Sequence, residues 1–461
     1  MTENPDEGEQ LKREVERLKT ENEELRKKLE KEQEEKEAIK KECNEVKKEF
    51  EEYKARHPET VGVKNGKPYV IIAPNVSPER KPPGARPGHK PAWRRLPVSI
   101  DRIIRVPVKV CSDCGCTELS KVQEIRKRVV EDVPVARPVV TKYLIERRYC
   151  PICKRLVETP VTAAFPKARL GIRVMLMVAW LKIGLRMTEA AIPEVLKASF
   201  GLAISEGEVI SMLDQVAKAF GPFYKDLKRL VRRAKARNMD DTSWRIFGED
   251  RNLWVFVTKA EALYVIAKSR SHEVPLKVLG RRPNGADIHD RHSAFETLAR
   301  KTGNRPQQYC WAHILADAKE LAQFIGEEGG LILRVLKKTF DDAKKVEHVG
   351  SPEDVERLFH YMKDNFTRHF ESTKCRKFAQ KLMTQKDRLF LFVTNPDVDA
   401  TNNAAERALR HSVIARKISG GSKSEKGAKV YQNLISVIQT LKTRGQDLLT
   451  AGPSILLASH G

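Results

Sequence analysis

Two cysteine pairs constrain this chain more than any other feature. Cys111-Ser-Asp-Cys114-Gly115 and Cys150-Pro-Ile-Cys153-Lys154 are separated by 35 residues. Each pair is a tight turn that can offer two thiolates to one tetrahedral Zn2+. Gly115 follows its turn where a positive φ lets backbone amides point at sulfur. Between the pairs, Val129-Val130, Val133, Val139-Val140 and Tyr143-Leu144-Ile145 read as strand. Residues 106–160 are therefore expected to form a zinc ribbon with Cys111, Cys114, Cys150 and Cys153 as structural ligands, Cys116 being an alternative to Cys114. A closed four-thiolate site leaves no position open for catalysis. Five of the eight cysteines fall within 111–153, a clustering that fits a metal in a reducing compartment better than a disulfide framework.

Charge narrows the partners. Lys and Arg number 86 against 62 Asp and Glu, a net +24 over 461 residues. Residues 1–57 hold 15 basic and 19 acidic side chains, which leaves +28 on the other 404. So basic a body repels itself unless a polyanion is part of its working state, and nucleic acid is the leading candidate. A membrane partner is not expected. The longest apolar run, residues 174–181, is hemmed by Arg173 and Lys182 and falls far short of the ~20 residues a span needs. The acidic, polar N-terminus has no look of a signal peptide, so a cytoplasmic location is expected.

The chain reads as a multidomain α/β protein. In residues 1–57, Leu11, Leu18, Leu25, Glu32, Ile39, Val46 and Tyr53 form one heptad column, and Val15, Asn22, Leu29, Lys36, Cys43 and Phe50 the other. That pattern predicts a coiled coil and a homo-oligomer, with Asn22 fixing a parallel register. Glu32 and Lys36 weaken the seam, and a lone solvated helix is the alternative. Residues 58–105 form a basic, Pro/Gly-rich tether in which Arg86 and Lys90 are candidate phosphate contacts; a plain linker is the other reading. Residues 165–236 are helical, with a capping box of Ser205 and Glu208 after Gly201. Either a helix-turn-helix or an αα-hairpin without DNA contact fits. The basic residues of 225–237 are expected to face DNA.

From 237 the pattern switches. Strands are expected at 237–246, 253–258 and 263–267, a helix at 273–279, a strand at 286–289, a helix from Ala294 and a strand near 306–311. A helical block follows at 313–395, then helices at 402–417 and 426–450 within a last segment, 396–461. Three antiparallel strands followed by alternating helix and strand is the order of the ribonuclease H-like fold, with the helical block as an insertion in a core that begins at 237–312. That order singles out Asp240 in the first strand, Asp290 at the end of the fourth, and Glu406 in a late helix. Hard oxygen ligands from separate elements are what a two-metal phosphoryl-transfer site needs. Asp241 competes with Asp240 and Asp287 with Asp290, while Glu406 three residues after Asn403 also reads as a capping box.

Five stretches carry a resemblance: Met239-Asp-Asp-Thr-Ser-Trp244, Asp290-Arg-His-Ser-Ala-Phe295, Cys310-Trp-Ala-His313, Asn402-Asn-Ala-Ala-Glu-Arg-Ala-Leu-Arg410 and Gly420-Gly-Ser-Lys423. In this order, behind heptads, tether and cysteine pairs, they resemble the insertion-sequence-sixty-six family of bacterial and archaeal transposases. The resemblance implies a DDE-type DNA transposase in which Asp240, Asp290 and Glu406 hold Mg2+ or Mn2+, the element ends are cleaved, and the freed 3′-hydroxyls join target DNA. It also implies a prokaryotic protein that is nucleoid-associated when bound to DNA. Arg407, Arg410, Arg416 and Lys417 flank the third carboxylate as candidate phosphate clamps, against the alternative of a solvated helix face. The Cys310/His313 pair resembles a CxxH signature of insertion-bearing DDE enzymes, its plain alternative being a buried strand end. The chain departs from the family pattern at Asp241, Ser243-Trp244 and Arg291-His292. A non-catalytic DNA-binding regulator, or a decayed transposase, is the alternative function.

Overall fold

The computed structural model describes residues 97–458 apart from Val135, Lys167, Arg282 and Pro283, together with a hairpin within 61–70 and eight single helical positions between Glu16 and Asn44. Apart from Leu18, helical and exposed, the heptad seam lies outside the described residues, as do Arg86 and Lys90. The chain divides into two compact units, Met1–Val130 and Glu131–Gly461.

In the first unit, β1 (Val61–Lys64) pairs antiparallel with β2 (Lys67–Val70). The expected tether therefore contains a hairpin, whose strands flank Asn65-Gly66, a dipeptide that suits a tight reversal. The second unit begins with another hairpin, β3 (Arg147–Cys150) with β4 (Arg155–Glu158). Among the described residues between the cysteine pairs, the only strand is the start of β3, two residues beyond the expected Tyr143–Ile145. Val129, Val130, Val133, Val139, Val140 and Leu144 are exposed and unladdered, because β-branched residues make a strand only where a partner supplies the packing and hydrogen bonds.

Four helices follow: α1 (Ile172–Ala179), continued by a π-helical turn to Gly184, α2 (Ala191–Phe200), α3 (Glu206–Ala219) and α4 (Gly221–Arg233). Gly201 ends α2 at φ 67°, and Ser205 with Glu208 closes the capping box of α3. The basic stretch after them is partly internal. Arg237 is fully buried against Asp287 at 2.8 Å, and Arg232 donates to the Val278 carbonyl.

The sheet contains β5 (Ala236–Ile246), β6 (Glu249–Val257), β7 (Ala262–Ala267), β8 (Ala286–His289) and β9 (Gln307–Tyr309), in the order β7-β6-β5-β8-β9. The first three form an antiparallel meander; β8 and β9 run parallel to β5. β6 starts at Glu249, earlier than expected, because Phe247 and Gly248 both take positive φ and close a two-residue hairpin. Alternation sorts the two faces. Leu253, Val255, Val257 and Tyr264 pack with α1, α3 and the C-terminal helices. Met239, Trp254, Phe256 and Leu263 face Leu227 and Val231 of α4, together with α5 (Glu273–Leu279) and α6 (Ser293–Lys301).

After β9 comes the helical block: α7 (Trp311–Ile325), α8 (Glu327–Lys345), α9 (Pro352–Phe366), α10 (Thr373–Met383), α11 (Lys386–Leu389) and α12 (Leu391–Thr394). It forms its own core around Trp311, Leu336, Phe390 and Phe392, joined to the sheet edge through Ile288 and Tyr309. The chain then returns as α13 (Asn403–Ser419), α14 (Glu425–Thr443) and α15 (Leu448–Ala458). The single helix expected at 426–450 is thus two, broken where Gly445 takes φ 69°. Between α13 and α14, Gly421 at φ 122° lets the chain touch the end of β5; a Cβ there would lie 2.3 Å from the Arg245 carbonyl oxygen. Ser422 bridges Ile246 and accepts from the Trp244 indole. No described helix is long and apolar enough to cross a membrane.

Candidate active site

β8 pairs with β5 only over Ala236–Ala286 to Asn238–Ile288. Asp240 therefore lies just beyond the paired stretch, and Asp290 follows the last residue of β8. This is the carboxyl end of the parallel strands, where open α/β sheets gather their sites. α13 brings Glu406 to the same place on its first turn.

Asp240 feels the other two acids. Burial, opposed by the Asp241 N–H that Asp240 accepts at 2.8 Å, together with the charges of Asp290, Asp241 and Glu406, pushes the Asp240 carboxyl up to about 7. Hydrogen bonding of the charged form does not offset burial together with the converging negative charge. Asp290 accepts from the His292 N–H at 3.2 Å.

The competing acids have other partners. Asp241 is buried and paired with Arg270 at 2.9 Å; its carboxyl is raised by burial, against the pull of that guanidinium. Asp287 sits between Arg237 and Arg305, both buried. The capping alternative for Glu406 does not form. The N-cap of α13 is Asn402 and makes no side-chain cap bond, and the Glu406 N–H enters the helical ladder to Asn402 O at 3.2 Å.

The segment before α13 is bound on both sides. Trp311 N–H donates to Ala400 O at 3.1 Å, and Asn238 Nδ2 donates to Thr401 O at 3.2 Å. Asn402, fully buried, donates from Nδ2 to Met239 O at 2.9 Å and from its backbone N–H to Cys310 Sγ at 3.1 Å. Glu406 is thereby indexed to the Asp240 strand and to β9. Composition and spacing did not single out Asn402 or Arg270; a polar residue immediately before a carboxylate-bearing helix was the available signal for the first.

Cys310 caps α7 and His313 lies on its first turn. His313 Nδ1 is 3.7 Å from Glu406 Oε1. Contact with Cys310 raises the imidazole to about 9 against the effect of burial, with Glu406 and Asp290 adding to the rise. Among the basic candidates, Arg407, Arg410 and Lys417 are exposed. Arg416 instead reaches back to Ser243 on β5. Arg291, a departure from the family pattern, is drawn away by Asp317 and lies over the Phe378 ring.

Each cysteine turn orders its own backbone amides. In one, Gly115 takes φ 74° and its N–H donates to Cys111 O at 3.0 Å; hydrogen bonds from the Cys114 and Asp113 backbone hold the Cys111 thiol below its ordinary range. In the other, the Cys153 N–H donates to Cys150 Sγ at 3.4 Å, and it and Ile152 lower the Cys150 thiol. Amides converging on one sulfur favour its thiolate, the metal-binding form.

Residues 168–430 match the family described as Transposase IS66 family, and residues 109–154 match the zinc-finger binding domain of transposase IS66. Two proteins of Sinorhizobium fredii are similar. Uncharacterized protein y4hP is 23% identical over 403 residues, covering 78% of this chain and 72% of its own. Uncharacterized protein y4jO is 35% identical over 69 residues, 15% of this chain and 22% of its own.

Proposed function

The chain belongs to the IS66 family of transposases, and on that premise we propose that it is a DDE-type enzyme that cleaves the ends of its element and joins the 3′-hydroxyls to target DNA. The observation that carries this reading is the convergence of Asp240, Asp290 and Glu406, where burial first and then the neighbouring carboxylate charges raise Asp240 to about 7. Oxygen donors gathered from three separate elements fit Mg2+ or Mn2+. The sheet order β7-β6-β5-β8-β9, with an antiparallel meander and two parallel strands, supports a ribonuclease H-like core interrupted by the helical block.

When bound, the divalent ions activate the attacking water or 3′-hydroxyl and stabilise the leaving oxygen of an in-line displacement. The chain's own residues supply the frame. Asp240 and Asp290 are fixed by adjacent strands and Glu406 by the Asn402 contacts. Arg407, Arg410 and Lys417 are exposed on the Glu406 helix, where phosphates can be held, and Arg416 braces that helix against β5. Cys111, Cys114, Cys150 and Cys153 hold a structural Zn2+. The heptads assemble copies of the chain, and Arg86 and Lys90 contact DNA from the tether. The divisions at 57, 105, 160, 236, 312 and 395 mark the working segments.

Supercoiled donor DNA incubated with Mg2+ tests the reading, comparing wild type with Glu406→Gln while DNA binding is followed by electrophoresis. Cleavage lost with binding retained is expected. A wild type that binds the ends and never cuts, in Mg2+ or Mn2+, points instead to a regulator or an inactive copy.

A further inference from the structure

Glu406 has a second set of neighbours besides the two aspartates. One ligand atom each of Cys310, His313 and Glu406 lie within 4.8 Å of one another. Cys310 and His313 sit three residues apart on the opening turn of α7, so a single rigid element offers a thiol and an imidazole together. Cys310 is fully buried, and its sulfur already accepts the Asn402 N–H at 3.1 Å. His313 Nδ1 is shut off from solvent, and it faces Glu406 Oε1 at 3.7 Å.

Thiolate, imidazole and carboxylate are a borderline-soft donor set. Zn2+ and Co2+ take such ligands in four-coordinate geometry, whereas Mg2+ demands oxygen and near-octahedral order. The side chains of His313 and Glu406 remain 45% and 39% exposed, which leaves an approach for a fourth, exogenous ligand. We propose that Cys310, His313 and Glu406 form a site for a transition-metal ion of the zinc class, distinct from the cysteine turns, that withdraws Glu406 from the oxygen-only set. The consequence for activity rests on the transposase reading: Zn2+ competes with Mg2+ for one carboxylate and inhibits cleavage. Binding itself does not depend on that reading.

The test uses the full chain, purified with its tightly held zinc in place and titrated anaerobically with Co2+. Wild type is expected to take up one further Co2+ with a thiolate-to-cobalt charge-transfer band. Cys310→Ser abolishes the band, and His313→Gln weakens the added binding by roughly 10–100-fold. Because Cys310 is buried, the half-exposed His313 supplies the second variant, and circular dichroism verifies that each is folded. In parallel, Zn2+ is titrated into Mg2+-supported cleavage, and each protein is scored against its own uninhibited rate; a roughly tenfold weaker inhibition of His313→Gln is expected. Folded variants that bind the same number of Co2+ ions as wild type with the same spectrum overturn the proposal. Added Co2+ bound as described, in a protein that never cleaves DNA, leaves the site standing and removes the transposase reading; cleavage without added Co2+ does the reverse.

Discussion

The side-chain amide of Asn402 donates to the backbone carbonyl of Met239 over 2.9 Å, tying the first turn of the Glu406 helix to the residue that precedes Asp240. Two carboxylate-bearing elements 166 positions apart in sequence are thus fixed by one buried side chain. Asn402→Ala leaves the Met239 carbonyl without that donor. A loss of about 1–3 kcal/mol is expected, read as a lower urea midpoint at unchanged slope; an unaltered midpoint would show that the bond fixes nothing.

Asp287 and Asp290, three residues apart, should behave oppositely. Asp287 pairs with two buried guanidinium groups, Arg237 and Arg305, so Asp287→Ala removes the carboxylate from both and should cost about 3–5 kcal/mol. Asp290→Asn keeps an oxygen for the His292 N–H and should change stability by less than about 1 kcal/mol. Denaturant unfolding of the two variants separates a structural acid from a site acid.

Raising the Asp240 carboxyl from 3.8 to about 7 has a definite sign. Between those values the native protein holds a proton that the unfolded chain has released, so stability in the absence of metal falls as pH rises, by up to ~1.4 kcal/mol per pH unit. His313, raised from 6.5 to about 9, has its own window. Its contribution is complete below 6.5 and is lost as pH climbs towards 9. Asp240→Asn should therefore match wild type near pH 4 and exceed it at pH 6.5, both without metal. Parallel stability curves for the two proteins would contradict the shift.

Zinc content distinguishes the cysteines. Cys111→Ser, Cys114→Ser, Cys150→Ser and Cys153→Ser should each lose the tightly held ion, while Cys116→Ser should keep it. In the described structure Cys116 Sγ turns to the Glu118 carbonyl at 3.7 Å, and the converging amides serve Cys111. Metal analysis after dialysis decides it; Cys116→Ser emptied and Cys114→Ser loaded would exchange the two assignments.

Much of the sheet was legible because alternation and breakers were sharp. The helix Glu273–Leu279 and the strand Ala286–His289 stand where the pattern put them, and Asp240 and Asp290 follow from those strands. What failed depended on partners that the local sequence does not name. The β-branched residues Val129, Val130, Val133, Val139 and Val140 have no neighbouring strand among the described residues, and Arg237 ends a basic run but turns inward because Asp287 lies on the adjoining strand. Cys310 and His313 could not be linked to Glu406 from spacing, since the Asn402 amide that joins them lies 92 residues after Cys310.

The most direct measurement compares end cleavage and strand transfer by wild type, Asp240→Asn, Asp290→Asn and Glu406→Gln, at matched DNA occupancy, in Mg2+ and in Mn2+. All three variants should bind DNA as wild type does and lose roughly 10³-fold or more in rate, in keeping with the several kcal/mol that metal ligation contributes to the transition state. Any one of them cleaving within about tenfold of wild type would contradict a site built from these three carboxylates.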